Sequence, residues 1–173
     1  MPWLISFLGI LQDSEIRLHK YMNRKELAES LFRQGFNCAQ AVVLSFEDVA
    51  ASRGITREQL SALASGFGGG MGRMREVCGC VSGMTLIAGL LSPADPSCHA
   101  SRTTNYALVQ KFAGEFGAQN GSIVCRELLG LRTAAKESPE PERRTEHYYK
   151  SRPCEQLVGC AAEIVADYLE KMS

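Results

Sequence analysis

Asn37-Cys38-Ala39-Gln40-Ala41-Val42-Val43-Leu44-Ser45-Phe46 decides the fold class of this chain. Asparagine is a preferred N-cap, and a glutamine three residues later can return a hydrogen bond to the cap's own backbone, giving a capping-box pattern. Ala41 to Phe46 then supplies the apolar body of a helix. The same signature recurs at Thr56 and Gln59, ahead of Leu60, Leu63 and Ala64. Asn23 caps a third segment, in which Leu27, Ala28, Leu31 and Phe32 follow helical spacing up to Gly35.

Reading outward, the glycine run Gly66–Gly72 interrupts the helical pattern. An apolar, small-residue helix follows over Val77–Leu91, stopped by Pro93 and Pro96. A longer helix spans Cys98–Phe116, with Tyr106, Leu108, Val109 and Phe112 expected on its inward face. Ser122 opens a short helix with Cys125, Leu128 and Leu129, closed by Gly130. Arg132–Glu146, with Pro139 and Pro141 among charged residues, reads as a solvated loop or mobile linker. Pro153 suits the first position of a last helix through Leu157, Ile164, Val165 and Leu169. No alternating strand is convincing. The expectation is an all-α, compact single-domain bundle of about five to seven helices with a glycine-rich loop, over residues 22–173. Residues 1–21 differ in texture and read as an extension: either an overlong gene start or a helix that docks on the domain or a partner.

Nineteen basic and nineteen acidic residues balance among 173, and no basic run carries interleaved aromatics. Nucleic acid is therefore not an expected partner. The apolar opening of residues 1–11 lacks a basic flank and a cleavage site, and is far shorter than a membrane span. An odd count of seven cysteines argues against a fully paired secreted framework. The expected location is a reducing cytoplasm, where spared thiols point to redox or metal chemistry.

Cys38, Cys78, Cys125 and Cys154 each fall where a helix is expected to begin. A helix N-terminus offers free N–H groups and about half a positive charge. Thiols so placed have their pKa lowered from about 8.5 into a range of roughly 3.5–7.5. Gly79 and Gly83 strip side chains from the flank of Cys78, so a backbone, cofactor or substrate can approach. Cys80 points away from Cys78 if both lie on a helix; the two face one partner only if the segment between them is not yet helical. Cys80 is read as a core residue, with an auxiliary thiol as the other reading. Cys98 is a candidate fifth member of the site, Cys160 is packing, and His99 is a helix-surface residue rather than a ligand. Gly66–Gly72 lacks both the Gly-Lys-Ser/Thr ending and the preceding strand of a phosphate loop, and is expected to lie across the thiols.

Phe36-Asn37-Cys38-Ala39-Gln40-Ala41-Val42, the run Gly66–Gly72 and Val77-Cys78-Gly79-Cys80-Val81-Ser82-Gly83, with the later Cys125 and Cys154, together resemble the redox-active family named C_GCAxxG_C_C. The resemblance covers roughly residues 22–170 and carries onto Cys38, Cys78, Gly79, Gly83, Cys125 and Cys154. It departs at Cys80, where the family usually has alanine. It implies a redox or cofactor-linked role, with an iron–sulfur or other metal site suspected.

Two functional readings follow. In the first, a thiol-based oxidoreductase, Cys38 attacks a disulfide and Cys78 or Cys154 resolves it, serving an unnamed redox partner protein or small thiol. In the second, the same four thiolates hold zinc or an iron–sulfur cluster, for which their number suffices. A blander reading has inert buried cysteines in a structural helical protein. The first two require Cys38, Cys78, Cys125 and Cys154 to converge. The oligomeric state, a homodimer included, is left open.

Overall fold

The computed structural model describes residues 23–131 and 138–172. The extension of residues 1–21, and 132–137 of the expected linker, lie outside the described residues. What is described is all-α: nine α-helices and one 3-10 turn, six of the helices seven residues or longer. They are α1 Arg24–Arg33, α2 Cys38–Leu44, α3 Glu47–Ala51, α4 Arg57–Ala64, α5 Gly79–Leu91, α6 His99–Asn120, α7 Cys125–Leu128, α8 Glu146–Ser151 and α9 Cys154–Glu170. The 3-10 turn, Ser65–Phe67, continues α4.

All three expected caps form. Asn37 accepts from the Gln40 amide while the Gln40 side chain accepts from the Asn37 amide, and Thr56 with Gln59 does the same. Asn23 closes a box with Glu26. Such caps satisfy amides that a helix start otherwise leaves open, a contribution of about 1 kcal/mol each.

α2 is the central element, with Ala39, Ala41, Val42, Val43 and Leu44 all buried. A helix that is apolar all round must be enclosed, and α2 packs against α5, α4, α1 and α9. α9 runs along α1, and α5 is covered by α6. Phe32, Phe46, Phe112, Phe116, Met84 and Ile87 fill the space between them. The α2–α5 approach is close because a Cβ on Gly83 would stand 2.9 Å from Val42 Cβ.

Tyr106, expected on an inward face, lies outside, 58% exposed. Leu108, Phe112 and Phe116 form the buried stripe of α6 at four-residue spacing, and Tyr106 stands about 200° around the helix from Leu108. Leu63 is 60% exposed because α4 buries its Leu60 and Ala64 edge instead. The segment read as a solvated linker is tied down where it is described: Arg73 Nε donates to the Ser138 carbonyl at 2.8 Å, and Arg144 Nη2 to the Phe36 carbonyl at 3.2 Å.

Candidate functional site

The N-termini of α2, α5, α7 and α9 meet at one cavity. Cys38 is the first residue of α2, Cys78 the N-cap of α5, Cys125 the first residue of α7 and Cys154 the first residue of α9. All four line the same cavity of about 50 Å³, with Asn37, Gly69, Gly70, Gly79 and three arginines, Arg75, Arg144 and Arg152. Tyr148, Leu128, Leu129 and Leu157 complete its wall.

Each cysteine is placed by local physics. Asn37 Nδ2 donates to the Ser65 carbonyl at 2.9 Å, fixing the start of α2 against the end of α4. Cys78 and Cys125 are joined by a short antiparallel pairing about Val77 and Val124. In it the Cys78 amide donates to the Ile123 carbonyl at 2.8 Å, and the Cys125 amide to the Glu76 carbonyl at 2.7 Å. Pro153 turns the chain into α9 at Cys154. The glycine run lies over the start of α2, as expected. A Cβ on Gly68 would meet Asn37 Cβ at 2.8 Å, and one on Gly79 would meet the Phe67 carbonyl at 2.9 Å and Cys38 Cβ at 3.1 Å. Gly79 thus lines the cavity, whereas Gly83 sits one turn deeper in the α2–α5 contact.

Cys80 is a core residue, as read, and it also adjoins this cluster. It is fully buried, and its thiol makes hydrogen-bonding contact with both Cys38 and Cys78. The reason is the backbone at Cys78, which at φ −57°, ψ 136° is not yet helical. Two sulfurs that a regular helix would separate therefore face the same place. Cys98 is not brought in: it is the exposed N-cap of α6 and is not part of the cavity wall. Cys160 packs between α9 and α6, accepting from Asn120 Nδ2 at 3.2 Å and donating to Gln119 Oε1 at 3.4 Å.

A common position at a helix start does not give the thiols a common acidity. Cys38 is held well below the ordinary thiol range, chiefly because the Cys154 thiol donates to its sulfur, then because Cys80 does. The Arg144 guanidinium and its own amide add to this against the opposing effect of burial. The same bonds act in reverse on the donors. Cys154 is pushed up by donating a hydrogen bond to Cys38 and by burial, and Cys80 by burial and then by its bond to Cys38. Burial pushes Cys125 up to about 11, with the Cys78 sulfur adding to it against the Arg75 guanidinium. A short α7 has little dipole to offer, and the Cys125 amide already serves Glu76. One thiolate stabilised by neighbouring thiols is the electrostatically cheapest state of such a cluster.

These shifts set a pH dependence of stability. Cys125, Cys154 and Cys80 hold protons in the folded protein that the unfolded chain releases near pH 8.5, so their contribution is complete below about pH 8.5 and declines above it. Tyr148, pushed up to about 12 by burial, extends that decline. Cys38 acts oppositely: its contribution is present above about pH 8.5 and lost as the pH falls through its folded value. We expect the urea midpoint to fall steadily between about pH 8.5 and 11. A flat alkaline limb in equilibrium denaturation would contradict the proton placement.

Among the described residues, no group of three or more His, Cys, Asp or Glu side chains is arranged to hold a metal ion. As placed, the thiols do not fit a zinc or iron–sulfur centre. No described helix is long and apolar enough to cross a membrane.

The cavity residues missing from the sequence reading are Arg75, Arg144, Arg152 and Tyr148. Only Arg152-Pro153-Cys154 carried a local signal, since adjacency to a site cysteine puts Arg152 nearby. Nothing in a proline-bounded charged segment marked Arg144.

Fold and site together define an all-helical protein with a buried thiol cluster gathered at helix N-termini. Residues 36–168 match the family model described as "Putative redox-active protein (C_GCAxxG_C_C)", and the chain belongs to that family. No curated protein and no solved structure matches.

Proposed function

We propose that this protein carries out thiol–disulfide redox chemistry, with Cys38 as nucleophile and Cys154 as resolving thiol. The observation that carries the reading is the placement of Cys38 and Cys154 on the wall of one cavity, where their contact lowers the Cys38 thiol and raises that of Cys154. Cys38 is also the more accessible, half-buried where Cys154 is 8% exposed.

The Cys38 thiolate attacks one sulfur of a disulfide RSSR′; that S–S bond breaks, a Cys38–SR mixed disulfide forms, and R′S⁻ departs to take a proton from water. Two causes that hold the Cys154 proton, the hydrogen bond to Cys38 and the Cys38 charge, vanish with this step. Cys154 then loses its proton and attacks Cys38 Sγ, releasing RS⁻ and leaving a Cys38–Cys154 disulfide. Two thiols have been oxidised and one external disulfide reduced; an external dithiol reverses the change. The resolving thiol is thereby silent until its partner has reacted, which limits wasteful attack.

Oxidation with one equivalent of a small disulfide, followed by peptide mapping, tests this. The expected product is a Cys38–Cys154 linkage. A product joining Cys78 to Cys125, with Cys38 still alkylatable, would sink the assignment. Cys80→Ala supplies a second check. Losing one donor to Cys38 should move its alkylation midpoint to higher pH, at a stability cost of about 1 kcal/mol for the small void. An unmoved midpoint would show that Cys80 only packs.

A further inference from the structure

We propose that the cavity beside Cys38 selects disulfides bearing an anionic group, a carboxylate near the S–S bond, held by Arg144. This rests on the thiol–disulfide reading and names its substrate class.

The unmet donor of Arg144 on the cavity wall carries it. Three guanidiniums line the cavity, those of Arg75, Arg144 and Arg152. Among the described residues Glu142 pairs with Arg152, with Arg75 at 3.6 Å and with Arg73 at 3.7 Å. No described carboxylate pairs with Arg144. Arg144 is instead fixed by aromatic faces, its guanidinium carbon 4.3 Å from the Phe32 ring centre and 4.8 Å from that of Tyr148. Its Nη2 donates to the Phe36 carbonyl, while its Nη1 is buried without a hydrogen-bond partner. A buried guanidinium N–H with no acceptor is an unmet demand that an anion satisfies, and a guanidinium fork matches a carboxylate.

Cys38 makes this an arrangement for turnover. Its thiolate is already an anion under the influence of Arg144, so a second anion beside it needs more than one cation. Arg75 and Arg152 are two more cations on the same wall. The departing thiolate is likewise negative, and the same guanidiniums favour it. The volume limits the occupant. About 50 Å³ is room for a few heavy atoms, at about 10–15 Å³ for each water-sized group. A carboxylate fits while the rest of the substrate stays at the mouth.

The test compares three small disulfides of different charge on the full chain: dithiodiglycolate (anionic), bis(hydroxyethyl) disulfide (neutral) and cystamine (cationic). Each rate of Cys38 modification is divided by that of free mercaptoethanol with the same reagent, which removes intrinsic reactivity. The expected order is anionic above neutral above cationic, with a span of at least about tenfold. Arg144→Gln should collapse the anionic-to-cationic ratio. Because a ratio is read, a changed thiolate fraction in that variant does not affect it. If Arg144→Gln does not fold, the wild-type order decides alone. Equal normalised rates overturn the anion selectivity while leaving the thiol chemistry standing. No reaction of Cys38 with any of the three overturns the thiol reading, and this inference with it.

Discussion

Replacing Cys38 by serine is expected to lower the rate of exchange with a small disulfide by more than about a hundredfold, because it removes the thiol held well below the ordinary range. Cys80, Cys125 and Cys154 are each held in the protonated state, and the thiol is not the nucleophile. The fold should survive the change, since Asn37 still caps α2 through Gln40. A second readout separates this account from one in which serine merely perturbs the helix. The largest cause holding the Cys154 proton is its bond to Cys38. In Cys38→Ser the Cys154 thiol should therefore be alkylated at lower pH than in the parent. Loss of exchange with no downward move at Cys154 would mean that the two sulfurs are not coupled.

That coupling explains why four cysteines at helix starts do not behave as four activated thiols. Each helix N-terminus favours a negative charge, but several thiolates in one small cavity repel each other more strongly than any single terminus can offset. The thiol held low is that of Cys38, where two thiol donors and Arg144 act together. The other helix starts serve geometry: they aim the side chains of Cys78, Cys125 and Cys154 into one cavity.

The sequence showed this placement but not its electrostatics. Capping boxes at Asn37 and Thr56 depend on residues three apart, so they are legible locally and the structure bears them out. The convergence of Cys38, Cys78, Cys125 and Cys154 could be required by hypothesis, yet only tertiary packing brings it about. Cys80 is core, as read, but its contact with the site was not legible because one backbone angle at Cys78, a ψ of 136°, decides whether two neighbouring sulfurs diverge or meet. Arg144 was missed because its role depends on aromatic rings from α1 and α8 that hold it in place. In the sequence its segment shows only charge and proline, the marks of a solvated loop. Tyr106 shows the limit from the other side: an aromatic residue in a helix reads as core until the face it occupies is known.

Gly70→Ala is expected to cost about 3 kcal/mol, the sum of two effects. Gly70 has φ +71°, a left-handed conformation that costs an L side chain about 1 kcal/mol or more. An added Cβ would also lie 2.6 Å from Cys125 Cβ and 2.9 Å from both Arg75 Cα and the Glu76 amide nitrogen. None of these atoms belongs to a side-chain end that can swing aside, so the pairing that joins residues 75–78 to 123–126 must move. Gly72→Ala is the matched control, with φ +56° and nothing within 4 Å of its added Cβ. It should cost about 1 kcal/mol, the conformational part alone. The difference between the two, read from urea denaturation, isolates the crowding against Cys125; equal costs would show that the glycine run tolerates a side chain over the thiols. Cys125→Gly removes the offending Cβ, so in the double variant Gly70→Ala should cost less than it does alone, a coupling expected only for groups in direct contact. The glycine at position 70 is then explained by its contact: the thiol of Cys125 and the backbone above it occupy neighbouring space, and a methyl group cannot fit between them.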